Sequence, residues 1–144
     1  MSGSAPANAP VRTDGEFIFV YGGLMRGFDL HHHLTGTAFV CAATARGKLY
    51  AVGAYPGMVD GEGTVHGELY SSDDPAVALE VLDEVEGYDP LDYAAANEYV
   101  RVKRIVRTED GSDITAWLYL YNRTVSGLEL IAGGDWRTRA QETG

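Results

Sequence analysis

The chain holds a single cysteine, Cys41, in 144 residues. That excludes a disulfide framework and a structural zinc site built from thiolates. Cys41 lies in an apolar stretch and reads as a small core side chain. Basic residues are also scarce: 11 lysines and arginines stand against 21 aspartates and glutamates, a formal net charge of −10. Nucleic acid requires a basic face, so it is not an expected partner. The acid excess maintains solubility and leans toward a neutral or cationic ligand. No apolar run approaches the roughly 20 residues of a membrane span. The segment Met1–Pro10 has neither a basic start nor an apolar core, so it is not read as a signal peptide. It is expected to be a flexible tail, and the expected location is cytoplasmic. Repeats and internal linkers are missing too, and the length suits one domain of roughly 100–150 residues.

What is present alternates between strand and helix signals. Glu16 to Tyr21 is rich in aromatic and β-branched residues and predicts a strand ended by Gly22-Gly23. Phe28 to Leu34 suits a short helix, and Val40 to Val52 one or two strands. Ala54-Tyr55-Pro56-Gly57 predicts a turn. Thr64 to Tyr70 sets Val65, Gly67 and Leu69 against His66, Glu68 and Tyr70, the alternation of a half-exposed strand. Ser71 to Pro75 is a helix start, with capping side chains and a proline for the first turn. Ala78, Val81, Leu82 and Val85 supply an apolar face, and Gly87 a stop. Glu98 to Arg107 and Ile114 to Tyr121 predict strands around a hairpin turn at Glu109 to Ser112. The second is apolar on both faces, which suggests a central, covered position. Four or more strands with one good helix give an α+β domain, or a small barrel flanked by helices.

Two segments carry candidate chemistry. In Tyr21-Gly22-Gly23-Leu24, a strand runs into bare backbone whose successive amides can cradle an anion; the same residues also suit a plain tight turn. No Gly-Lys-Ser/Thr follows, so this is not a P-loop. Glu86 ends the predicted helix on the side of Leu79 and Leu82. There the negative end of the helix dipole and burial would both raise its pKa, which suits a general base working near neutrality. The alternative is a solvated glutamate in the acidic group with Asp83 and Glu84. His31-His32-His33 are adjacent and point in different directions, so a surface loop or helix start is expected rather than a metal site. Tyr99 and Arg101 share one strand face, suited to cross-strand packing with Trp117 or Tyr119. No serine occupies a nucleophile elbow and no motif activates Cys41.

Val20 to Gly27 resembles the V-Y-G-[ST]-L-x-x-G signature of the γ-glutamylcyclotransferase-like (AIG2-like) proteins. Leu82-Asp83-x-x-Glu86-Gly87 resembles their L-D-x-x-E-G segment, and Tyr99-Val100-Arg101 their Y-x-R strand. Tyr55-Pro56-Gly57, Gly67 to Tyr70, Ala116 to Tyr121 and Ile131-x-x-Gly134-Asp135-Trp136 also fit, all in order. The resemblance spans residues 16–137, leaving tails at 1–15 and 138–144. Within the family, the chain is most similar to the short bacterial proteins that resemble the butirosin-pathway enzyme and the mammalian γ-glutamylamine enzyme.

The resemblance implies a small mixed β-barrel with flanking helices and no cofactor. It implies an enzyme that releases 5-oxoproline and a free amine from a γ-glutamyl amide. The α-amine attacks the γ-glutamyl carbonyl, with Glu86 as general acid/base. The amides of Gly22, Gly23 and Leu24 would bind the glutamyl α-carboxylate, and Tyr21 and Tyr99 would line the pocket. The family usually carries serine or threonine where this chain has Gly23; backbone binding survives that change, while a hydroxyl is lost. Two other functions stay open: a non-catalytic small-molecule-binding module on the same scaffold, and another lyase or hydrolase of a related amide. The leaving amine and the oligomeric state are not legible.

Overall fold

In a computed structural model of the chain, residues 17–92 and 96–143 are described; the expected N-terminal tail 1–15 and the expected strand start at Glu16 lie outside them. In chain order the elements are β1 (Phe17–Val20), a 3-10 turn (His31–Leu34), β2 (Thr37–Val52), β3 (Tyr55–Ser72), α1 (Pro75–Glu86), β4 (Tyr99–Thr108), β5 (Asp113–Tyr121), β6 (Glu129–Leu130) and α2 (Trp136–Thr143). The strand order is β3-β1-β5-β4-β2-β6, and an additional β3–β2 pairing closes β1 to β5 into a barrel. The barrel is mixed: β1 runs parallel to β5, and the other pairs are antiparallel. Two helices flank it.

The apolar run of β1 follows from its position. Phe17 and Phe19 point into the barrel with Leu49, Met58, Val65, Leu69, Val106 and Leu118. Ile18 and Val20 point outward, into a second cluster with Leu24, Tyr70, Leu79, Leu82 and Tyr119. A strand covered on both faces has no polar side to show. The expected central position of the strand from Ile114 is likewise found, since β5 lies between β1 and β4.

The long β2–β3 hairpin curves through register shifts at Phe39/Cys41 and Arg46/Lys48, as a strand does when a bulge bends it. At Gly47 a Cβ atom would come within 2.6 Å of the Val59 carbonyl oxygen, so the bend admits only glycine. The expected turn at Ala54 to Gly57 is corrected: Val52 pairs with Tyr55, and Gly53-Ala54 make the turn. Pro56 is tolerated inside β3 because this end pairs with β2 alone among the described strands.

Three further expectations change on packing. Glu68 and Tyr70, read as exposed, are buried, because the segment after β1 and the start of α2 cover that side of β3. On α1 the buried residues are Leu79 and Leu82, whereas Val81 is 39% exposed. Cys41 is half-buried at the barrel margin rather than in the core. The α1 ends follow expectation: Asp74 accepts a hydrogen bond from the Val77 amide, and Gly87 takes the left-handed conformation at φ 68°. Residues 138–143, read as tail, continue α2, whose first turn is capped by Asp135 accepting from the amides of Arg137 and Thr138.

Candidate active site

The strand-to-glycine break after β1 leaves three amides without partners among the described residues. The carbonyls of Gly22, Gly23 and Leu24 are engaged, accepting from Met25 N–H at 3.0 Å, from Leu30 N–H at 3.0 Å and from the His31 ring at 3.0 Å. The N–H groups of Gly22, Gly23 and Leu24 find no acceptor among the described residues, although all three residues are buried. Buried backbone donors without partners are rare in folded proteins. Here they sit in succession on the wall of a cavity of about 230 Å³. The concavity, the bare backbone and the unmet donors together suit a small anion such as a carboxylate.

Glu86 lines the same cavity from the end of α1. Leu79 and Leu82 bury the helix face that carries it, so the carboxyl is drawn toward the barrel rather than into water. Among the described residues it has no hydrogen-bonding or ion-pair partner. Its pKa rises from 4.5 to about 7, first through burial and then through the nearby Glu98 carboxylate. Burial was expected from the sequence; the Glu98 charge was not revealed by sequence spacing.

The phenols nearby are committed elsewhere. Tyr21 donates to the Tyr119 carbonyl at 2.7 Å and accepts from the Met58 amide at 3.2 Å. Tyr99 donates to the Pro56 carbonyl at 3.0 Å. Burial and the Glu86 carboxylate raise the pKa of both, so they stay neutral. They form a fixed aromatic wall. The Tyr119 hydroxyl donates to Asp83 at 2.5 Å, and Asp83 also receives Arg101 at 2.7 Å. This clamp ties α1, and with it Glu86, to β4 and β5.

The family model described as gamma-glutamyl cyclotransferase, AIG2-like, matches residues 18–138. The chain belongs to that family. It is 38% identical over 123 residues to the gamma-glutamylcyclotransferase family protein YtfP of Escherichia coli, covering 85% of this chain and 96% of that one. The solution structure of Escherichia coli ytfP overlays with a TM-score of 0.55 at 36% identity, over 86% of this chain and 98% of that chain. The crystal structure of an AIG2-like protein from Mus musculus gives a TM-score of 0.63 at 25% identity, over 80% and 84%.

All the site residues read from sequence, namely Tyr21, Gly22, Gly23, Leu24, Glu86 and Tyr99, line the one cavity. Arg101 does not; it stacks over Trp117, 4.9 Å from the ring centroid, and pairs with Asp83. Tyr55, Glu98 and Tyr119 line the cavity too, and sequence reasoning did not place them there. Tyr119 stands opposite Arg101 across the β4–β5 pair, so the Y-x-R segment was the available signal. Gly23 departs from the γ-glutamylcyclotransferase-like signature. A Cβ atom at Gly23 would meet Tyr55 Cε1 at 2.9 Å and Leu30 Cδ1 at 3.2 Å. The Tyr55 ring, 37% exposed and bonded through its hydroxyl to Asp29 at 3.0 Å, would have to shift to admit a serine or threonine side chain. Among the described residues no group of histidine, cysteine and carboxylates could hold a metal ion, and no helix is long and apolar enough to cross a membrane. His31 to Leu34 form the 3-10 turn instead.

Proposed function

We propose that this protein releases 5-oxoproline and a free amine from a γ-glutamyl amide. The observation that carries the proposal is the pairing, in one cavity, of three backbone N–H groups with a carboxyl whose pKa is about 7, all without partners among the described residues. The amides of Gly22, Gly23 and Leu24 bind the glutamyl α-carboxylate. Glu86 then faces the α-ammonium and removes its proton. The freed amine attacks the γ-glutamyl carbonyl carbon, so a C–N bond forms and a five-membered ring closes. As the bond to the leaving amine breaks, Glu86 returns its proton to the departing nitrogen; the ring nitrogen then gives up its second proton, again through Glu86, and the amine departs as an ammonium. One C–N bond is exchanged for another, both protons lost by the α-ammonium end on the leaving amine, and the carboxylate is regenerated.

The demands of this reaction match what the cavity offers. Ring closure is intramolecular, so the site must mainly hold a folded conformer, and orientation can contribute several kcal/mol. A group with a pKa near 7 both accepts and returns protons near neutrality. The neutral tyrosines shape the ring-closing conformer and exclude water. Their hydroxyls are already bonded, which leaves proton transfer to Glu86.

Glu86→Gln keeps the shape and removes the base. With a panel of γ-glutamyl amides, 5-oxoproline formation should fall by roughly 10²–10⁴-fold while binding of 5-oxoproline persists. Wild-type kcat/KM should decline as pH drops below about 7, where Glu86 becomes protonated. Full activity in Glu86→Gln would remove the residue from the mechanism, and ligand binding with no turnover of any amide would leave a binding module.

A further inference from the structure

Glu68 is a buried carboxylate, 5% exposed, that the reaction above does not use. Burying a carboxylate is costly unless donors surround it, and four converge here. Oε1 accepts from the Arg26 amide at 2.9 Å and from the Tyr70 hydroxyl at 2.9 Å. Oε2 accepts from Arg26 Nε at 3.3 Å and from Arg137 Nη2 at 3.2 Å. Arg137 Nη2 also donates to the Arg26 carbonyl at 2.8 Å. Residue 26 is therefore gripped at its amide, its carbonyl and its guanidinium, by groups from β3 and from α2.

The place of this grip in the chain matters. The Gly22–Leu24 segment is fixed on its N-terminal side by β1, which pairs with β3 up to Val20. On its C-terminal side the turn closes through Met25 N–H to the Gly22 carbonyl, and residue 26 follows at once. Arg26 is further pinned by its guanidinium over the Phe39 ring, 3.7 Å from the centroid, and Arg137 by lying over Phe28 at 5.0 Å. A buried ion network is weak evidence for stability, since apolar packing serves as well. A backbone amide and carbonyl held on both sides of one residue do something apolar packing cannot: they fix the orientation of the two peptides that flank it.

We propose that Glu68, with Arg137 as its second anchor, is a positioning residue that aims the Gly22, Gly23 and Leu24 amides at the substrate carboxylate. The proposal rests on the reading of the cavity given under Proposed function. It makes the start of α2 part of the site, although Arg137 lies 111 residues from Arg26 in sequence.

The test compares two ligands that differ only in the carboxylate, 5-oxoproline and 2-pyrrolidinone, in the full-length protein by calorimetry or amide NMR. In Glu68→Gln, affinity for 5-oxoproline should fall by about tenfold and that for 2-pyrrolidinone should hold. With a γ-glutamyl amide the KM should rise by a similar factor while kcat changes little, as expected when ground-state and transition-state binding weaken together. Arg137→Ala, on a partly exposed side chain, should show the same selectivity at about three- to tenfold and guards against a folding failure of the first variant. Equal loss of both ligands would mean general loosening and overturn the proposal, as would unchanged affinity for 5-oxoproline. If the wild-type protein bound neither ligand, the reading of the cavity would fall and this proposal with it; that failure shows in the wild type, the other only in the variants.

Discussion

At the scale of single residues, Glu86 is held where its ionised form is disfavoured, and this has a measurable price in stability. Its folded-state pKa, about 7, lies above the ordinary 4.5. The folded protein therefore binds the Glu86 proton more tightly than the unfolded chain does. The resulting stability is fully present below about pH 4.5 and is lost as pH rises through about 7. Glutamine carries no such dependence. The Tm of Glu86→Gln should match the wild type near pH 4 and exceed it near pH 8, where the unfolding free energies differ by up to about 3 kcal/mol. Thermal melts of both proteins across this range check the sign; a constant difference would show that burial does not tax the carboxylate. The inward aim of Glu86 was legible because Leu79, Leu82 and Glu86 recur at helical spacing. Glu98 was not, since it reaches the cavity only through the pairing of β4, which no local pattern specifies.

At the scale of elements, α1 illustrates what local sequence can and cannot say. Its cap at Asp74, the proline of its first turn and the stop at Gly87 are written in adjacent residues. The way it docks is not. Asp83 projects between Tyr119 and Arg101, partners 36 and 18 residues away. Both charged side chains of the pair are largely shielded, at 15% and 20% exposure. Asp83→Ala strands a guanidinium and a phenol together and should cost roughly 2–4 kcal/mol in denaturant melts. It should also lower kcat/KM with a γ-glutamyl amide, because the clamp seats the helix end that carries Glu86. Loss of stability without loss of activity would separate the clamp from the site. The β2–β3 hairpin was harder to read than α1: its bulges interrupt the two-residue period, and Glu68 and Tyr70 break the polar-out rule because another segment covers them.

At the scale of the whole molecule, the parallel β1–β5 contact and the β3–β2 closure join strands far apart in sequence; strand periodicity predicts that faces are covered, not which strands meet. Net charge, by contrast, is legible from composition alone, and it bears on the substrate. The formal charge is −10, and the charged groups on the cavity wall, among the described residues, are Glu86 and Glu98. The glutamyl moiety carries one positive and one negative charge, so an additional cation on the leaving amine makes the substrate net positive. Such a substrate is drawn by the field of the protein and favoured beside Glu98, and both effects weaken as salt shortens the screening length from about 30 Å at 0.01 M to about 8 Å at 0.15 M. The ratio of kcat/KM for a γ-glutamyl diamine over a γ-glutamyl alkylamide of equal length should therefore exceed one at low salt and shrink by several-fold across that range. Glu98→Gln should lower the low-salt ratio; it also removes the charge that helps raise the Glu86 pKa and so changes both rates, which makes the ratio the readout. A ratio indifferent to both salt and Glu98 would mean that the acidity serves solubility alone and that the leaving amine is selected by shape.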